Sequence, residues 1–253
     1  MLFREPAHAA PALAISQPAH AWISGQLLRA WSDPLDEALL LAAEQHDLGW
    51  LDWETAPSFD SHTGRPHLFS AVGAAMHAPM WARGVERALN AWGRHVALLI
   101  SRHGRLIYSR YTDRHQIAAA DASAVDHYLE TQGPMQATWA RALGLDAAML
   151  ARGSALVALS DTLSLALCGA LRPPLEVEAS NRAGDTRTLQ LRARPEDATE
   201  FTLSPWPFRI EAIVIQCEAR PMHDTGRFVD EAAMRAWLAA PERMAFQARL
   251  TPG

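Results

Sequence analysis

Apolar side chains recur at spacings of three and four over the first two thirds of the chain and at spacings of two over the last third. His20, Ile23, Leu27 and Trp31 mark one face of a helix that Pro18 opens in its first turn, with Ser16 or Gln17 at its start. Ser32 or Asp33 is placed to cap a second helix, with Leu35, Leu39, Leu40, Ala43, His46 and Asp47 on its apolar side and its end at Gly49. Residues 51–67, LDWETAPSFDSHTGRPH, are rich in Pro, Gly, Ser and Thr and predict a surface loop. Helical patterns resume over 68–92, 93–103, 115–131 and 134–142, and a very apolar one covers 147–171. From RPPLEVEAS onward the period changes. LEVEAS, TRTLQLRAR and FRIEAIVIQCEA alternate polar and apolar positions, and NRAGDT between the first two predicts a hairpin turn. A short helix near 229–239 and an extended tail complete the pattern.

The expectation is a mainly α fold. A helical body, residues 1–172, carries a small C-terminal antiparallel β appendage, residues 173–253, with SPWPF at 204–208 packing the two together.

Composition narrows the class. With 253 residues, 49% hydrophobic and 20% charged, the chain can bury a sizeable core. The net charge of −5 and the scatter of the basic residues argue against nucleic acid as a partner. Every basic residue is Arg, so an anionic ligand would be held by guanidinium groups. Cys168 and Cys217 lie far apart in apolar stretches, which predicts free thiols in a reducing compartment. MLFREPAHAAPALAIS lacks the pattern of a signal peptide, so a cytoplasmic protein is expected. Residues 153–171 are long enough to span a bilayer, but Asp161 at their midpoint argues against it.

That carboxylate is the first chemical clue. An Asp in so apolar a helix needs a metal, a cation or several donors, and the nearest Arg152 and Arg172 lie at the helix ends. Metal sites in helical proteins draw inward-facing ligands from several helices, and imidazole with carboxylate suits divalent transition metals. His20, the His46-Asp47 pair, His103 in ALLISRHG and Asp161 all fall on or at the end of apolar helical faces.

This order of residues, with His77 in AAMHAPMW, resembles that of the HD-domain superfamily, a helical fold best known for metal-dependent phosphohydrolases. More narrowly, AEQHDLGW, SDTLSLALC and SPWPF resemble a bacterial family of HD-like proteins with a short β region after the helical part. The resemblance implies a first metal on His20, His46, Asp47 and Asp161. It implies a second held with the help of His77 and His103, with Asp47 as the bridge; His67 is the alternative to His77. One or two ions of Mn, Fe, Ni, Co or Zn are expected, with Asp47 and His103 closest to the chemistry. Arg65, Arg102, Arg105 and Trp50 are candidate substrate contacts, with core packing the alternative role for Trp50 and Trp53 alike. Two departures stand out: Gly49 is followed by Trp50 rather than Lys, and no Gly-Tyr-Pro element follows the His residues.

The functional expectation is hydrolysis of a small phosphorylated substrate by metal-activated water. A His-rich dinuclear iron oxygenase and a non-catalytic binding module are its rivals. His62, His95 and the second pair, His223-Asp224, have no place in the predicted site.

Overall fold

A computed structural model describes residues 1–5, 11–110, 112–113, 116–180, 185–222 and 226–253. The chain opens with two short strands, β1 (Leu2–Arg4) and β2 (Ala12–Ile15), before α1 (Gln17–Arg29) and α2 (Glu37–Gln45). A 3-10 turn at Leu48–Trp50 follows, and α3 (Leu51–Thr55) with the small hairpin β3 (Phe59–Asp60) and β4 (Arg65–Pro66) occupies the segment predicted as loop. Four helices follow: α4 (Ala74–Trp92), α5 (Arg94–Arg110), α6 (Ala119–Leu143) and α7 (Ala147–Leu167). The C-terminal part comprises β5 (Leu175–Ser180), β6 (Thr186–Arg194), β7 (Asp197–Ser204), β8 (Ile213–Met222), α8 (Glu231–Ala239) and β9 (Met244–Pro252).

Local chemistry sets the helix starts. The Ser16 hydroxyl accepts from the Ala19 amide at 3.2 Å, and Pro18 occupies the first turn of α1. Asp36, rather than Ser32 or Asp33, caps α2, accepting from the Leu39 amide at 2.9 Å. The two helices expected over 115–131 and 134–142 are one, running through Pro134.

The larger correction concerns the sheet. Seven strands form one mixed sheet in the order β1-β2-β8-β9-β7-β6-β5, antiparallel throughout except for β7 beside β9. The fold is therefore not mainly α with a small β appendage. Strands β1 and β2 come from the opposite end of the chain, and they are too short for an alternating pattern to reveal them. The extended tail, β9, is inserted between β8 and β7. Alternation marks a segment as a strand but does not name its neighbour. Most of the NRAGDT turn, and the pair His223-Asp224, lie outside the described residues.

One sheet face is apolar, through Leu189 and Leu191 on β6, Ile213 and Ile215 on β8, and Phe246, Ala248 and Leu250 on β9. It shares one core with Ile23 and Leu27 of α1, Val96 and Leu99 of α5, and Leu156 and Leu163 of α7. On the other face, Met234 and Leu238 of α8 cover Ala12, Ala14 and Met222. The end of α1 is tied to SPWPF: Trp31 bridges Phe208, their rings 5.5 Å apart and edge-to-face. Helix α7 is long and apolar enough to cross a membrane, but it is mostly buried within the protein, in the place of a core helix.

Candidate metal centre

Helices α1, α2, α5 and α7 pack against one another, and their polar residues meet there. His20 comes from α1, His103 from α5 and Asp161 from α7; His46 caps the C-terminus of α2, and Asp47 follows it. The donor atoms of His20, His46 and Asp47 lie within 4.8 Å of one another, as do those of His46, His103 and Asp161. All five residues are buried.

Hydrogen bonds fix which ring nitrogens face inward. His46 Nδ1 is 2.8 Å from the Ala43 carbonyl, which can only accept, so Nδ1 carries a proton and Nε2 turns into the pocket. The Ser164 hydroxyl donates to the Asp161 carbonyl at 2.8 Å. The same hydroxyl lies 2.8 Å from His20 Nδ1, and His20 Nε2 makes a hydrogen bond with Asp47 Oδ2 at 2.8 Å. His46 Nε2 lies 3.4 Å from Asp161 Oδ1 and 3.7 Å from Asp47 Oδ2, without a hydrogen-bond partner. His103 Nε2 is 3.6 Å from Asp161 Oδ2, and its buried Nδ1 has no partner either. Asp47 Oδ1 accepts from the Trp81 indole at 3.4 Å.

Imidazole lone pairs facing carboxylate oxygens repel unless positive charge lies between them. No Arg makes an ion pair with Asp47 or Asp161 among the described residues. In the metal-free pocket a proton supplies that charge. Burial works to lower the pKa of His46, but the Asp47 and Asp161 carboxylates outweigh it and raise it to about 9. Burial likewise opposes the ionisation of Asp161, and His46 reverses it, holding this carboxyl well below the usual range. His103 goes the other way: burial, then the charge on His46, lowers it to about 4. A divalent cation would supply the same charge, and three imidazoles with two carboxylates are a donor set that suits one. The residues present fit a metal. The carboxylates are also the more open members, with side chains 8% and 10% exposed at Asp47 and Asp161 against 1% at His20 and His46.

The other candidates are placed differently. His77 contributes no donor to the cluster; its Nδ1 lies 2.7 Å from the Tyr108 hydroxyl, and its ring stacks on Tyr108 and Trp50. His67 lies by the Ser58 carbonyl, His62 is exposed, and His95 approaches Asp36. Arg65 is engaged by Glu5 and the Gly226 carbonyl. Arg102 donates to Ser154 on α7, two helical turns before Asp161, and Arg105 is exposed. Trp50 and Trp53 are both buried, packed edge-to-face at 5.6 Å.

Sequence reasoning passed over Ser164, Ser24, Trp81, Tyr108 and Tyr128. Ser164 stands three residues after Asp161, and Trp81 four after His77, spacings that put each pair on one helix face. Ser24 joins the network by donating to Ser164 at 3.0 Å. Trp81, Tyr108 and Tyr128 form, with Trp50 and Trp53, a second core under α3 to α6.

The model of a family described as "Protein of unknown function (DUF3891)" matches residues 1–224. No curated protein and no solved structure matches the chain. The resemblance to the HD-domain superfamily is corrected on both counts: the matching family is this one, and a seven-stranded sheet is no part of a helical bundle. The resemblance rested on the order of His and Asp along the chain. Such an order says which residue types are available and nothing about the framework that gathers them.

Proposed function

The chain belongs to the DUF3891 family, and we propose that it is a metal-dependent hydrolase of phosphoesters, with its metal in the His20, His46, Asp47, His103 and Asp161 pocket. The observation that carries this reading is His46 Nε2, buried, without a hydrogen-bond partner and aimed between two carboxylates. A divalent metal held there would lower the pKa of a coordinated water toward neutrality and offset charge on a phosphoryl oxygen.

The chain's own groups do the rest. Ala43 and Ser164 hold the rings of His46 and His20 with Nε2 inward, and Trp81 orients Asp47; such outer partners keep a metal site in shape. Neutral His103, with one nitrogen unspent, is able to ligate or to take a proton from an attacking water.

Two results are expected. Protein purified without chelator and loaded with manganese, cobalt, nickel or zinc should hydrolyse members of a panel of phosphate mono- and diesters, and the chelated protein should not. A metal-loaded protein inert toward the whole panel would rule out hydrolysis, and two equivalents of iron with oxygen uptake would replace it with redox chemistry. The second result concerns pH. Metal and proton compete for His46 Nε2, so affinity falls as pH falls below the His46 pKa of the metal-free protein. Apparent affinity should rise roughly tenfold per pH unit from neutrality to about 9 and then level off. Calorimetry in buffers of different ionisation enthalpy should report about one proton released per metal near neutrality. A flat profile would remove His46 from the ligands.

A further inference from the structure

His77 is one indole away from the metal pocket. The Trp81 ring lies 5.4 Å from the His77 ring, and its Nε1 reaches Asp47 Oδ1 at 3.4 Å. The imidazole is clamped between Tyr108, parallel within 9° at 5.5 Å, and Trp50 at 6.0 Å. So many ring contacts leave it one orientation.

Its tautomer follows from satisfaction of buried groups. Tyr108 is 2% exposed, and its hydroxyl has His77 Nδ1 as its one hydrogen-bond partner among the described residues, at 2.7 Å. If Nδ1–H donated to Tyr108, the phenolic proton would be left without an acceptor, at a cost of about 1–3 kcal/mol. With Tyr108 donating to Nδ1, both groups are satisfied and the ring proton stands on Nε2. Burial holds the phenol protonated and the imidazole neutral, the latter at about 4. His77 Nε2 has no partner among the described residues, and it belongs to a residue that is only half-buried. A fixed, neutral N–H donor therefore remains unspent on a residue that a single indole separates from Asp47.

We propose that His77 is a substrate-binding residue, whose Nε2–H donates to a phosphoryl oxygen of a substrate reaching the metal pocket past Trp81. The assignment rests on the metal-dependent reading of the same pocket. It gives His77 a different role from that of a second-metal ligand: one hydrogen bond, made to the substrate.

The test uses zinc-loaded protein freed of excess metal, with inorganic phosphate as the probe. The His77 Nε2–H resonance should move downfield as phosphate is added. His77→Phe should weaken phosphate binding roughly tenfold, the worth of one hydrogen bond to a charged group. His77→Gln, whose amide can replace the Nε2–H, should restore most of it, and zinc per chain should be the same in all three proteins. Unchanged phosphate affinity in His77→Phe would overturn the assignment, and so would loss of zinc in that variant. A wild-type chain that takes up no zinc would end the metal reading alone. Phosphate titration of the metal-free protein would then decide the role of His77, an unmoved resonance overturning it and a shifted one upholding it.

Discussion

Asp47→Ala is expected to empty the pocket of metal while leaving the chain folded. Asp47 Oδ2 stands 2.8 Å from His20 Nε2 and 3.7 Å from His46 Nε2, and Oδ1 takes the Trp81 indole proton. Removing the side chain deletes a carboxylate donor and frees the orientation of His20, so metal affinity should fall on the order of a thousandfold, some 4 kcal/mol. The fold should lose much less. Breaking a buried ion pair is costly when it strands a charge. Here cationic His46 keeps Asp161 at 3.4 Å, so the variant retains one balanced pair. Metal per chain measured after dialysis, beside urea unfolding of the metal-free proteins, separates the two effects. Full metal retention would refute the centre; collapse of the metal-free variant would make Asp47 a structural residue first.

Gly49→Ala is expected to be the most damaging single methyl group near the site. Sequence alone gives Gly49 the role of a helix stop, but α2 ends at Gln45, and Gly49 belongs to the 3-10 turn after the His-Asp pair. What it permits is contact of two backbones. A Cβ at Gly49 would lie 2.3 Å from the Met80 carbonyl oxygen and 3.2 Å from the Trp81 Cα, and a Cβ at Gly84 on α4 would lie 2.8 Å from the Gly49 amide nitrogen. Backbone cannot rotate aside as a side chain can, so α4 would have to retreat. The cost should be on the order of 3 kcal/mol, and Trp81 would move away from Asp47. Metal affinity should then fall roughly tenfold as well, the usual consequence of a lost outer partner. Gly133→Ala is the control. Its Cβ meets only the end of Arg105 at 3.4 Å, and a helical Gly→Ala should be neutral or stabilising by about 0.5–1 kcal/mol. An unfolding midpoint for Gly49→Ala equal to that of the wild type would show that no close approach exists there.

The two variants also mark the limit of what sequence conveys. His20, His46, Asp47, His103 and Asp161 could be singled out as chemistry-bearing because each interrupts an apolar helical face. Burying a charge or an imidazole there is expensive without a partner. The cost of burial is local to each helix, and the structure does bring the five together. His77 satisfies the same argument, yet it stands outside the cluster, its polar atom engaged by Tyr108. Periodicity reports which face of a helix is buried, not which neighbour that face meets.

The helices α1, α2, α4, α5 and α7, the strands β5, β6 and β8, and the residue types available to a metal were therefore determined by the order of apolar and polar residues, because each depends on contacts within one turn or one strand. Tertiary structure decided the rest. Pairing of β1 and β2 with β8, insertion of β9 between β8 and β7, and the backbone contact at Gly49 and Gly84 all join residues distant in the chain. So do the Tyr108 proton on His77 and the contact of Ser164 with the His20 ring. Long-range pairing depends on the combined fit of many surfaces, and a single segment carries no record of its partner.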